Sequence, residues 1–273
     1  MKTIHPSELS PMQVQMILQT AVSPRPIALA STIDKNGNVN LSPFSFFNLF
    51  SSNPPILIFS PARRVRDNST KDTLHNVLEV PEVVIGNVNF NMVQLVSLSS
   101  TEYETGVDEF IKSGLTKKPA ELVKPPLIAE SPVNFECKVI EVKPLGNEGG
   151  AGNLVICEVL KIHIREEFLN EEGNLDQKKL DLVSRLGGNW YGRTSAETLF
   201  EVPKPLVTKG IGFDQLPSEI KNSSVFTRND LGMLANVEQL PEGNFTADEK
   251  VHVVAQKLLL ESKIEEAWKI LNI

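Results

Sequence analysis

The sequence predicts a mainly β chain of α+β class with helices at its periphery, and three observations carry that reading. Two strand-length segments flank an Asn-Gly turn near the N-terminus, and an unbroken apolar run, Ile56-Leu57-Ile58-Phe59-Ser60, follows a double proline. A longer hairpin, Val133 to Leu145 and Leu154 to Arg165, folds about the turn GNEGGAGN. Apolar runs of this length, bounded by Gly, Pro and Asn, are the pattern of paired strands.

Taken in order, Ile27 to Ile33 is the first strand, rich in apolar and β-branched residues. Asp34-Lys35-Asn36-Gly37 suits a type I′ turn or a G1 bulge, since Asn and Gly tolerate positive φ. Val39 and Leu41 begin the return strand. In SPFSFFNLFSS, Ser42, Ser45, Asn48, Ser51 and Ser52 interrupt the phenylalanines, and small hydroxyl residues beside Pro43 read as an open loop. Its main-chain donors would face a planar heterocycle; the other reading is an ordinary turn over core phenylalanines.

Arg63, Arg64, Arg66 and Lys71 then make a local cationic patch in a chain of formal net charge −7. Ser69 or Thr70 is the N-cap expected for a helix with the apolar stripe Leu74, Val77 and Leu78. Free amides, hydroxyls and guanidinium groups at a helix N-terminus favour an anion. The alternative is a solvated surface loop.

Val83 to Asn89 reads as a strand and Met92 to Leu98 as a short helix. From Ser99 to Ser131 the chain is rich in Gly, Pro and acidic residues, and Pro119, Pro125 and Pro126 break any regular element. The GNEGGAGN cluster leads into a strand, so the pyrophosphate-on-helix arrangement of a dinucleotide fold has no place to form.

The blocks PRPIALASTIDKNGNVNLSPFSFFN, NPPILIFS, KDTLHN, GVDEFIKSGLT, VKPPLIAESPVNFEC and SRLGGNWYGR resemble the flavin reductase-like family of FMN-binding split barrels, in its flavoprotein oxygenase-like branch, over residues 20 to 205. The resemblance implies a six-stranded Greek-key split β-barrel and a homodimer with FMN in a cleft at the subunit interface. It places Asn40, Ser42, Pro43, Phe44, Ser45 and Asn48 by the ring or ribityl chain. Ser60, Arg66, Lys71, Asp72 and Thr73 fall at the phosphate, with Arg63 and Arg64 in the variable basic loop beside them. The Ser99–Ser131 segment becomes a lid or a dimer contact.

Of the histidines, His5 and His252 read as surface residues and His75 as an exposed helical one. His163 shares a strand face with Val155, Cys157 and Val159, and the resembled family often carries histidine here, near the cleft. It is the candidate proton carrier, the catalytic residue of the set, or else a satisfied rim residue; a reference pKa near 6.5 suits the first role. Arg185 and Tyr191 in SRLGGNWYGR either reach the partner's flavin or lock the dimer.

With 273 residues the chain divides into a flavin-binding domain over 1–205 and an extension over 206–273, a loop followed by an amphipathic helix opened by the capping box Thr246-Ala247-Asp248-Glu249. No apolar run reaches the ~18 residues of a membrane span. The N-terminus lacks a secretory h-region, so a cytoplasmic protein is expected. Cys137 and Cys157 read as buried thiols. The acidic balance argues against general nucleic-acid affinity. Motifs for hydrolysis, phosphoryl transfer and metal binding are missing from the sequence.

The functional expectation is an FMN-dependent oxidoreductase, FAD being the less favoured flavin. NAD(P)H would give hydride to FMN, and electrons would pass to free flavin, oxygen or a partner. The alternatives are a flavin-binding carrier or sensor without turnover, and a pyridoxamine phosphate oxidase-like enzyme.

Overall fold

A computed structural model describes residues 1–206 and 208–273 as two compact units, Met1–Leu199 and Phe200–Ile273. In the first unit, β1 (Ala28–Ile33) pairs antiparallel with β2 (Val39–Phe44). Of the turn residues only Gly37 has positive φ, +86°, and its N–H donates to the Asp34 carbonyl at 3.0 Å. That geometry is the bulged turn and excludes type I′, which needs two positive φ angles.

The expected open loop is for the most part strand. β2 runs through Pro43 to Phe44, and after Ser45 and Phe46 the chain enters β3 (Phe47–Ser52), which pairs with β4 (Pro55–Phe59) across a bulge between Leu49 and Ser51. Pro43 is tolerated because β2 is an edge strand. Phe44 is a core residue whose ring lies 5.3 Å from that of Phe59. Serines broke the apolar pattern, yet the ladder tolerates them.

The remaining elements of this unit are α1 (Pro11–Ala21), α2 (Asp72–Glu79), β5 (Glu82–Asn87), α3 (Val93–Ser99), α4 (Glu109–Ser113), the short pair β6 (Lys117–Lys118) and β7 (Leu127–Ile128), the long hairpin β8 (Val133–Pro144) and β9 (Asn153–Ile164), α5 (Gln177–Leu180), and the pair β10 (Val183–Arg185) and β11 (Tyr191–Arg193). The segment 99–131 thus holds a helix and a strand pair, where the prolines suggested neither. β2-β1-β5-β8-β9-β4-β3 form one antiparallel sheet of seven strands, against the six expected.

Period-2 alternation divides the core. Ala28, Ala30, Val83, Ile85, Cys137 and Cys157 join one cluster with Leu74 and Val77 of α2. Leu29, Leu41 and Val84 join the other with Val96 of α3 and Phe110 of α4. Both faces of β1 are therefore covered, and all six of its residues are buried. Cys137 and Cys157 carry free, buried thiols.

α1 has no buried residue, and Met12, Met16, Ile17, Leu18 and Val22 are exposed. Its C-terminus is pinned by Arg25, whose buried guanidinium donates to the carbonyls of Gln19, Val22 (2.6 Å) and Leu186 (2.9 Å).

The second unit contains α6 (Ser218–Lys221), α7 (Arg228–Ala235), α8 (Glu249–Leu260) and α9 (Ile264–Leu271), closed around Leu234, Leu259, Trp268 and Leu271. The single amphipathic helix expected here is two, separated at Ser262, whose φ is +59°. The cap of α8 is Asp248, which accepts from Lys250 N, whereas the Thr246 hydroxyl accepts from Asp248 N at 3.0 Å; the expected capping box does not form. His252 is buried, not a surface residue: Nδ1 lies 2.8 Å from Ser223 Oγ and Nε2 2.8 Å from the Thr246 carbonyl. Two partners satisfy the ring, so an apolar helix face accepts it. Among the described residues no helix is long and apolar enough to cross a membrane.

Candidate functional site

α2 begins beside the end of β2, and its cap differs from the one expected. Lys71 is the N-cap residue and no side chain caps the helix. Ser69 and Thr70 are spent elsewhere, Ser69 Oγ on Asp67 and Arg64, and Thr70 Oγ1 on His75 Nε2 at 2.7 Å. No side chain satisfies the free amides at the positive end of α2.

The Lys71 ammonium points back over the sheet, 3.0 Å from Ser42 Oγ and 5.2 Å from the Phe44 ring centroid. Burial, with the Arg64 charge second, lowers its pKa. A desolvated cation facing a neutral hydroxyl gains most from an anionic ligand.

Next to it runs a buried chain of polar groups. Thr73 Oγ1 donates to Asn40 Oδ1 at 2.7 Å, and Asn40 Nδ2 donates to Glu109 Oε1 at 2.8 Å. The other oxygen of Glu109 accepts from Leu41 N at 2.9 Å. Burial raises the Glu109 pKa despite these hydrogen bonds. Glu109 was missed in the sequence because it sits in a segment read as loop; Asp108, which caps α4 through Phe110 N, is the signal that could have found it.

Asn40, Ser42, Lys71, Asp72 and Thr73 line one cavity of about 160 Å³, together with Arg64, Glu102, Tyr103, Thr105 and Glu109. Asp72 accepts from the Thr105 hydroxyl at 3.2 Å. Arg64 Nε and Arg66 Nη2 each lie 3.0 Å from a Glu102 oxygen, with Arg66 at the outside, 69% exposed.

Ser60 and Arg63 meet the β8–β9 turn instead. Ser60 Oγ is buried without a partner, and Arg63 Nε likewise, while Arg63 N donates to the Ala151 carbonyl at 2.8 Å. Gly152 is close enough that a Cβ there would stand 2.7 Å from Ser60 Oγ. Pro43 pairs with Leu29, Ser45 Oγ accepts from Arg25 Nε at 3.5 Å, and Asn48 is exposed, its amide oxygen accepting from Leu49 N. Phe46 and Arg25 border a second, mainly apolar cavity of about 510 Å³ with Val14, Leu18 and Val22.

Arg185 stacks on Tyr191 at 4.5 Å and donates to the Gly188 carbonyl at 2.8 Å. His163 lines a cavity of about 620 Å³ with Lys118, Asn134 and Arg165, which shares no residue with the Lys71 cavity. Its Nε2 is 2.5 Å from Glu136 Oε1, a fully buried carboxylate that also accepts from Glu121, Leu122 and Val123 N–H groups. Glu136, like Arg25, carried no signal in the sequence. No cluster of metal-ligating side chains occurs among the described residues.

The model of the flavin reductase like domain matches residues 21–181. An uncharacterized protein of Halalkalibacterium halodurans is 37% identical over 208 residues, 76% of this chain and 98% of that one. The structure of nitrilotriacetate monooxygenase component B from Bacillus cereus matches with a TM-score of 0.67 at 27% identity, covering 75% of this chain and 98% of that one. The 2-nitrobenzoate 2-nitroreductase of Pseudomonas fluorescens matches at 0.66 and 27%, covering 77% and 100%. A split-barrel domain structure from Shewanella frigidimarina, at 22% identity and a TM-score of 0.62 over 73% of this chain and 96% of that one, shows the fold alone.

Proposed function

The chain belongs to the flavin reductase-like family, and on that premise we propose that it is an FMN-dependent oxidoreductase taking hydride from NAD(P)H and passing electrons to free flavin, oxygen or a protein partner. The observation that carries the reading is the uncapped N-terminus of α2 with the partly buried Lys71 ammonium held 3.0 Å from Ser42 Oγ. A partly buried cation and a helix end without a side-chain cap are donors in search of an acceptor, which fits a phosphorylated flavin.

In this reading Ser42, Lys71 and the α2 amides, those of Asp72 and Thr73 among them, hold the phosphate, with Ser60, Arg63, Arg64 and Arg66 at its approach. Asn40, Pro43, Phe44, Ser45 and Asn48 border the ring and ribityl chain, and Arg185 braces the cleft. Bound FMN supplies the redox chemistry, accepting hydride and releasing electrons. His163 moves a proton, its ring oriented by Glu136.

The partner for the exposed apolar face of α1 is a second copy of the chain, and Leu49 and Phe50 on the edge strand β3 are exposed as well. We take residues 1–205 as the flavin domain, 206–273 as an extension, and the cytoplasm as the compartment. A carrier without turnover is the reading favoured by one observation, that His163 Nε2 is already spent on Glu136.

The test has two stages. Purified protein should be yellow and release FMN, identified by mass, on denaturation. Stopped-flow mixing with NADH and NADPH should then bleach the flavin absorbance. Colourless protein that takes up no FMN would refute the reading, and a yellow protein inert to both nucleotides would leave the carrier.

A further inference from the structure

The Lys71 cavity contains more carboxylates than a phosphate site would need. Asp72, Glu102 and Glu109 line it beside Arg64 and Lys71. Two of the three have donors other than arginine: Glu109 accepts from Leu41 N and Asn40, and Asp72 from Thr105. Glu102 is different. Its two oxygens each take one guanidinium, Arg64 Nε and Arg66 Nη2, both at 3.0 Å. One planar anion bridging two arginines occupies the donors that a phosphate would use.

Glu102 sits half-exposed on the loop between α3 and α4, and the same loop bonds α2 at a second point. That point is the hydroxyl of Thr105 on Asp72. Hydrogen bonds from the arginines hold its carboxyl below the ordinary range, so it is ionised throughout neutral pH. Resting on the flavin reading above, we propose that Glu102 is a resident anion occupying the arginine seat until a ligand phosphate displaces it, and that it thereby tempers the site's preference for a phosphorylated flavin over an unphosphorylated one.

Displacement breaks the loop's link to the arginines and leaves the Thr105 hydroxyl on Asp72 as its bond to α2. Phosphate binding and loop docking are then linked equilibria, each weakening the other. Half-exposed ion pairs are weak individually, so the expected penalty on affinity is about three- to tenfold.

The test titrates the flavin-free full chain and its Glu102→Gln variant with FMN and with riboflavin by calorimetry, and follows hydrogen exchange at residues 100–108. Glu102→Gln should bind FMN about three- to tenfold more tightly, leave riboflavin affinity unchanged, and lose the gain when Arg64→Ala is added. In the wild type, FMN but not riboflavin should speed exchange at 100–108. If FMN binds the wild type and Glu102→Gln equally, or slows exchange in that loop, the assignment is wrong while the flavin reading stands. If the wild type binds neither flavin, both fall.

Discussion

Replacing Lys71 by methionine removes one charge from the centre of the site and keeps the apolar stem over Phe44. The ammonium now contacts a neutral hydroxyl at 3.0 Å and an aromatic face, with burial lowering its pKa. Without ligand its loss should therefore change stability by less than about 1 kcal/mol, since a desolvated charge with weak partners stabilises little. With a phosphate present the same group makes a charge-assisted bond of about 1.5–3 kcal/mol. Converted at about 1.4 kcal/mol per decade, Lys71→Met should weaken FMN binding roughly 10- to 150-fold. Riboflavin, which lacks the phosphate, should lose far less. Calorimetric titration of both flavins, with a thermal melt of the free protein, separates the cases. Equal losses for the two flavins, or an unchanged FMN affinity, would refute the placement of phosphate at Lys71. The pH dependence has a definite sign. Only the ammonium form attracts phosphate, and the free site loses that proton below the ordinary 10.5, so FMN affinity should fall with rising pH in the alkaline window beneath 10.5. Lys71→Met should abolish that slope.

Glu109→Ala leaves Asn40 Nδ2 and Leu41 N without acceptors in a buried setting and should cost about 2–4 kcal/mol in denaturant unfolding; a loss under about 0.5 kcal/mol would show that water replaces the carboxylate. Gly187→Ala would set a Cβ 2.2 Å from Thr20 Oγ1 and 3.2 Å from Thr20 Cα, so the α1 end must shift; faster proteolysis within residues 1–22 is the expected result. Burial pushes the Cys137 thiol up to about 12 and raises Cys157 well above its ordinary value, so neither should react with a thiol reagent in the native protein at neutral pH, and both should react after unfolding.

Much of the first unit was legible because its strands are long and its punctuation is strong. Asn36-Gly37, Asn53-Pro54 and the glycines at 149–152 all fall at turns, and the run Ile56 to Phe59 is the strand it looks like. SPFSFFN misled because hydroxyl residues in an edge strand imitate a loop; their side chains pair with Lys71 and Arg25, contacts set by distant segments. The α2 cap failed for a similar reason, since Asp67, Arg64 and His75 compete for the hydroxyls of Ser69 and Thr70. Lys71, Thr73, Ser42 and Asn40 were readable through motif blocks. Glu102, Glu109 and Glu136 were not, because nothing local distinguishes a carboxylate that accepts from a remote strand from one that faces water. His252 shows the converse: helical spacing placed it without revealing that Ser223 and Thr246 would satisfy it.

Asn40 receives a hydroxyl proton on its oxygen side and presents its amide hydrogens to a carboxylate, so its two ends are not interchangeable. Its orientation is thereby dictated from both directions. An aspartate at this position, whether introduced or produced by slow hydrolysis of the amide as a preparation ages, would set one carboxylate against another. The pocket's shelf life is therefore tied to a single nitrogen atom.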